Sequence, residues 1–208
     1  MELIKHRIGL LIILIFLASK MLLAQNEKQL QEAFSASYSA ETSGDYTKAI
    51  EALRKIYNED TYAINLRLGW LTYMHGSFNE SIAYYNKAIQ LMPYSIEARL
   101  GFALPASAVG NWDHVVSRYN EILKIDPNHY LTNYRMGSIF YYREDYQAAH
   151  KYFERIANLY PFDYDAVHMF AWTNLRMGKQ AEAQSLFNKA LLIRPDDASS
   201  KEGLGLIK

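Results

Sequence analysis

Residues 62–95 read YAINLRLGWLTYMHGSFNESIAYYNKAIQLMPYS, and residues 130–163 read YLTNYRMGSIFYYREDYQAAHKYFERIANLYPFD. Superposed, the two segments agree in kind at separated places. Gly69 matches Gly137, Phe78 matches Tyr146, Tyr85 matches Phe153 and Pro93 matches Pro161. Outward from them the same register continues, because Pro93, Pro127, Pro161 and Pro195 are each 34 residues apart. No helix or strand period is that long, so one supersecondary unit has been copied and stacked.

Other columns keep the register. Gly69, Ala103, Gly137, Ala171 and Gly205 are all small. Gly76, Gly110 and Gly178 share a column in which Glu144 is the one departure. Tyr85, Tyr119, Phe153 and Phe187 form an aromatic column, and Ala88, Ile122, Ile156 and Ala190 close the unit before its proline. Between prolines the apolar residues recur at steps of three and four, the period of a helix. The stripe breaks at the glycine of the second column. Each unit is therefore a helix, a glycine-marked turn and a second helix, with proline placed where it cannot extend that helix. Glycine inside a helix costs about 1 kcal/mol relative to alanine. A Gly/Ala column within the first helix therefore predicts a steric limit set by its partner helix.

These columns resemble the tetratricopeptide repeat. Leu68-Gly69, Gly76-x-Phe78, Ser81, Tyr85, Ala88 and Pro93 carry the likeness, as do Met136-Gly137, Tyr146, Ala149, Phe153 and Pro161. The resemblance implies an all-α fold, a right-handed superhelix (α-solenoid) of about five helical hairpins plus a C-terminal helix. Repeats are placed at about 30–61, 62–95, 96–129, 130–163 and 164–197, with a partial one at 198–208, so that the solenoid covers 30–208. One departure recurs: the early first-helix aromatic of the family is Ala33, Asn65, Arg99, Asn133 or Val167 here. Pro105 falls inside a first helix, where an interior proline predicts a kink.

The N-terminus reads differently. Lys5, His6 and Arg7 precede the apolar run Ile8–Ala18, and a small residue, Ala24, comes before a polar stretch. This pattern is that of a secretory signal peptide over residues 1–24. The rival is an uncleaved anchor, since Ile8–Ala24, 17 residues interrupted by Lys20, is at the short end of what spans a bilayer. Either reading places the repeats beyond a bacterial inner membrane, as an exported, periplasmic protein or one anchored there and facing the periplasm.

Lys and Arg balance Asp and Glu at 22 each, which gives no pointer to nucleic acid. There is no cysteine, which excludes disulfides and thiolate chemistry. No phosphate-cradling loop, Gly-x-Ser-x-Gly or His-Glu-x-x-His occurs. His75, His114, His129, His150 and His168 share no ligand spacing, and most of them read as ordinary surface or turn residues. Asp45, Asp113, Glu144 and Asp145 sit at turns and read as helix caps. The chain is expected to be no enzyme, with no catalytic residue, metal or cofactor.

What remains is surface. The family resemblance implies a concave groove lined by the first helices. Carried onto this sequence, the lining is Phe34, Tyr38, Leu66, Trp70, Tyr73, Leu100, Leu104, Tyr134, Tyr141, His168 and Trp172, with Met74 and Tyr142 beside them. Family members that clamp a peptide C-terminal carboxylate use Lys and Asn at such places, and neither occurs at these. An aromatic groove fits another protein, as an extended peptide or an amphipathic helix. The alternative is a membrane-anchored scaffold subunit of an obligate envelope complex. Attachment through residues 1–24 and homo-oligomerisation stay open.

Overall fold

A computed structural model describes residues 25–207. The leader read over residues 1–24 lies outside them. Among the described residues all regular structure is helical. Helix α1 covers 25–42. It is followed by α2 (Tyr46–Arg54), α3 (Tyr62–Met74), α4 (Phe78–Leu91), α5 (Ile96–Ala108), α6 (Trp112–Ile125), α7 (Tyr130–Tyr142), α8 (Tyr146–Leu159), α9 (Tyr164–Arg176), α10 (Gln180–Ile193) and α11 (Ala198–Gly205). The fold is an α-solenoid of helical hairpins. The helices form two compact units divided between Asn111 and Trp112, each described here by itself. In the first, α2 packs on α3, α3 on α4, and α5 on both α3 and α4. In the second, α7 packs on α8, α8 on α9, α9 on α10 and α10 on α11.

The turn column explains itself through the backbone. Gly76 has φ +86°, and the bond from the Ser77 amide to the Thr72 carbonyl, at 2.8 Å, closes the helix end. This is the left-handed residue that commonly ends helices. Glu144 takes the same conformation, with φ 61°, and the Asp145 amide reaches the Phe140 carbonyl at 2.9 Å. Repetition of the architecture thus forces a non-glycine residue into a conformation that favours glycine. Glu144 is accordingly no cap, whereas Asp45 and Asp145 do cap, accepting from the amides of Lys48 and Ala148. Asp113 lies inside the first turn of α6 and is exposed.

The small column meets the aromatic column. A Cβ on Gly69 would stand 2.9 Å from Tyr85 Cγ, and one on Gly137 would stand 2.8 Å from Phe153 Cε1. Tyr85 is also covered from the next repeat, because a Cβ on Gly101 would approach its Cε1 to 2.2 Å. Gly101 thus makes room for Tyr85, and α5 runs unbroken through Pro105. Gly203 stands over Phe187 in the same way, at 2.2 Å. Tyr85, Phe153 and Phe187 are buried.

The departure at Asn65, Arg99 and Asn133 also has a cause. All three are buried. Asn65 Nδ2 donates to the carbonyls of Glu59, at 2.8 Å, and Thr61, at 2.9 Å. Arg99 donates to those of Pro93, at 2.7 Å, and Ser95, at 2.9 Å. Asn133 Nδ2 donates to those of Pro127 and His129, both at 3.0 Å. The carbonyls of Glu59, Pro93 and Pro127 lie in the connections between repeats, outside the helical ladders, and main-chain carbonyls seek donors. A polar side chain in α3, α5 and α7 supplies them where the family's aromatic would not.

Candidate functional site

In the first unit the lining residues come from α1, α3 and α5. Phe34, Leu66, Trp70, Tyr73, Leu100 and Leu104 are half-buried, and Tyr38 is 54 % exposed. Phe34 and Tyr38 lie on one face of α1, with ring centroids 6.4 Å apart. The Arg67 guanidinium stands 3.8 Å over the Tyr38 ring, a cation–π contact. Arg67 also ion-pairs with Glu41 at 2.5 Å, while Trp70 Nε1 donates to the other Glu41 oxygen at 2.6 Å. Burial works to raise the Glu41 carboxyl. The hydrogen bonds from Arg67 and Trp70, with the charge of Arg67, outweigh it and hold the group below the usual carboxylate value. Tyr73 bridges the Trp70 ring, at 6.0 Å, and the Phe78 ring, at 5.8 Å.

In the second unit the lining comes from α7 and α9. Tyr134 is half-buried, stacked on Tyr130 at 6.3 Å and edge-on to Phe153 at 5.9 Å, so one of its faces belongs to the core. Tyr141 is half-buried against Tyr142 and Tyr146, and Arg176 Nε donates to its hydroxyl at 3.5 Å. Tyr142 is 80 % exposed. Trp172 packs edge-on to Phe187 at 5.2 Å, and its Nε1 donates to His168 Nε2 at 3.1 Å and Ser199 Oγ at 3.0 Å.

The two tryptophans are thus neither free platforms nor core residues. Each lays its ring against its unit and directs its indole N–H into a polar cluster. His75 and His114 are exposed, and two other histidines, His150 and His168, are packed into the second unit. His168 is half-buried, stacked on Tyr164 at 5.1 Å, and burial lowers its pKa. His150 is half-buried against Phe170, with Lys179 Nζ 3.2 Å from its Nε2, and His129 caps α7. Glu41, Arg67, Asp197 and Ser199 were not singled out by sequence reasoning. Each partner lies 26 to 31 residues from its mate, in no shared column.

A second device joins successive repeats. The Tyr130 hydroxyl donates to Asp163 at 2.5 Å, and Tyr62 shares a bond with Ser95 at 2.8 Å. Asp163 and Ser95 are themselves the N-caps of the following first helices. Tyr164 does the same with Asp197. Burial first, and then the bond to Asp197, push the Tyr164 phenol up to about 12.

Ser199, His168 and Asp197 do not compose a nucleophilic triad. Ser199 Oγ, at 2.9 Å, and Asp197 Oδ2, at 3.9 Å, both address His168 Nε2, whereas a triad needs the carboxylate on the opposite ring nitrogen. Among the described residues no group of three His, Asp or Glu is placed to hold a metal ion. No helix among them is long and apolar enough to cross a membrane.

The tetratricopeptide repeat family model matches residues 27–96 and 134–198, roughly two thirds of the chain. The chain belongs to the tetratricopeptide repeat family. No curated protein matches it. Solved structures agree on the fold of this repeat protein. A tetratricopeptide repeat protein from Parabacteroides merdae is 22 % identical, with TM-score 0.73 over 85 % of this chain and 71 % of its own. A MamA structure is 18 % identical, with TM-score 0.71 over 83 % of this chain and 95 % of its own. MamA from Desulfovibrio magneticus is 13 % identical, with TM-score 0.68 over 82 % of this chain and 98 % of its own. Proteins built of these repeats are in general interaction modules rather than enzymes, and this chain is a protein–protein interaction module.

Proposed function

We propose that this repeat protein is exported, stands in the periplasm, and binds a segment of another protein along the aromatic faces of its first helices. The observation that carries the reading is a contrast between two sets of aromatics. Those of the second helices, Tyr85, Phe153 and Phe187, are buried to 3 % exposure or less, as packing requires. On the first helices Tyr38, at 54 %, and Tyr142, at 80 %, stay open, and the other lining aromatics are half-buried. Tyrosine gives large contact area with a hydroxyl at its rim, the chemistry enriched at protein interfaces. A partner with apolar anchors at helical or extended spacing fits such faces. Export rests on the basic, apolar and small-residue order of residues 1–24.

Site-specific photocrosslinking in the native cell tests the reading. Benzoylphenylalanine at Tyr38 or Tyr142 is expected to give a discrete protein adduct, and at the exposed second-helix positions Gln147 and Lys151 none. Equal adducts from both sets would overturn the binding face. Mass spectrometry of the same protein, expected to begin after Ala24, tests export separately.

A further inference from the structure

The Trp172 indole nitrogen can only donate, so the ring nitrogen that accepts from it, His168 Nε2, carries no proton. The imidazole is therefore neutral, with its proton on Nδ1. Ser199 Oγ, 2.9 Å from His168 Nε2 and 3.0 Å from Trp172 Nε1, sits between the two. Protonation of Nε2 reverses this arrangement. Two N–H groups would then face each other across 3.1 Å, and Ser199 Oγ, whose two lone pairs can accept from both, would be the one acceptor left to the indole. Asp197 Oδ2, 3.9 Å from Nε2, would draw the imidazolium toward itself. We propose that His168 is a proton-operated latch on Trp172, accepting from the indole N–H when neutral and leaving it to Ser199 alone when protonated.

The surroundings set where the latch works. Burial opposes the charged form most strongly; Asp197 at the cap of α11 and Asp165 on α9 favour it, and Arg194 at the end of α10 opposes it. Tyr164 of α9 stacks on the ring. The net effect puts the transition below the ordinary histidine value. The change is confined to the N–H edge, which loses one of its two acceptors, because the Trp172 ring remains held edge-on by Phe187. Trp172 lies on the first-helix face, so acid would change what that face offers a partner. This consequence rests on the proposed binding function; the latch itself does not.

The test is a titration of the full chain labelled with ¹⁵N-tryptophan, followed from pH 7.5 to 5.0 alongside the histidine ring resonances. Trp172→Phe assigns the indole signal. The expected result is that the Trp172 indole resonance shifts with the midpoint of His168, while the Trp70 and Trp112 indoles hold still. His168→Gln, which keeps an acceptor, is expected to abolish the shift. A Trp172 signal that ignores the His168 titration would overturn the latch, as would a shift that survives in His168→Gln. Should that variant fail to fold, agreement or disagreement of midpoints in the unaltered chain decides alone. Photocrosslinking from Tyr38 and Tyr142 is indifferent to the latch, so failure of the binding face and failure of the latch are told apart.

Discussion

Glu144 shows what a single residue can contribute once its column is known. It is the only non-glycine residue with positive φ among those described, and it holds a place that glycine fills in four other copies, at Gly44, Gly76, Gly110 and Gly178. The left-handed conformation costs an ordinary L-residue about 1–2 kcal/mol. Glycine removes that strain but adds disorder to the unfolded chain, worth about 0.4–1 kcal/mol the other way. Glu144→Gly is therefore expected to stabilise by about 0.5–1 kcal/mol, read as a rise of a few degrees in the thermal midpoint. The reverse change at Gly76 isolates the same term, because nothing lies within 4 Å of a Cβ built there. Gly76→Ala should lose about as much as Glu144→Gly gains. An unchanged midpoint for both would remove the backbone account of this column.

At the scale of the element, the hairpin is set by one contact, between a small residue on the first helix and an aromatic on the second. Gly137→Leu would drive a branched side chain into the Phe153 ring, which already lies 2.8 Å from where a Cβ would stand. Overpacking of that kind costs about 1–3 kcal/mol. Gly205 occupies the same column but has nothing within 4 Å of a Cβ, so Gly205→Ala should be harmless. Denaturant titration of the two variants separates packing from helix propensity, since neither substitution loses propensity and only packing predicts a loss of stability for Gly137→Leu. The same hairpins show how much was legible in the sequence. Turns, small residues and core aromatics recur in every copy because every copy must solve the same packing problem. Repetition makes those solutions visible. The clusters around Trp70 and Trp172 do not recur. Glu41 with Arg67, and Ser199 with His168, each occur once and join residues of neighbouring repeats, so no column announces them. The buried Asn65, Arg99 and Asn133 stand between these cases. Their column is plain in the sequence, but its purpose appears only when the carbonyls they reach are seen.

At the scale of the whole molecule, the two units differ in how they meet acid. The two histidines whose pKa is lowered, His150 and His168, both belong to the unit that begins at Trp112. Burial is the main cause in each, reinforced at His150 by the charge of Lys179 and opposed by Glu154, Asn174 and Glu182. A histidine whose folded pKa lies below its unfolded value of 6.5 binds fewer protons folded than unfolded in the interval between. Stability therefore rises with pH across that interval. The contribution is complete above about pH 6.5 and is lost as pH falls from there through the folded value. Glu41 in the first unit, with a lowered carboxyl, follows the same rule but in the carboxylate range, below the ordinary value of 4.5. Acidification from pH 7.5 to 5.5 should thus loosen α8, α9 and α10 before α3 and α4. Amide hydrogen exchange, corrected for the intrinsic pH dependence of the rate, reads this directly. Protection is expected to fall in the second unit and hold in the first, and His150→Gln with His168→Gln should shrink the difference. Equal loss in both units would show that the buried histidines do not govern the acid response.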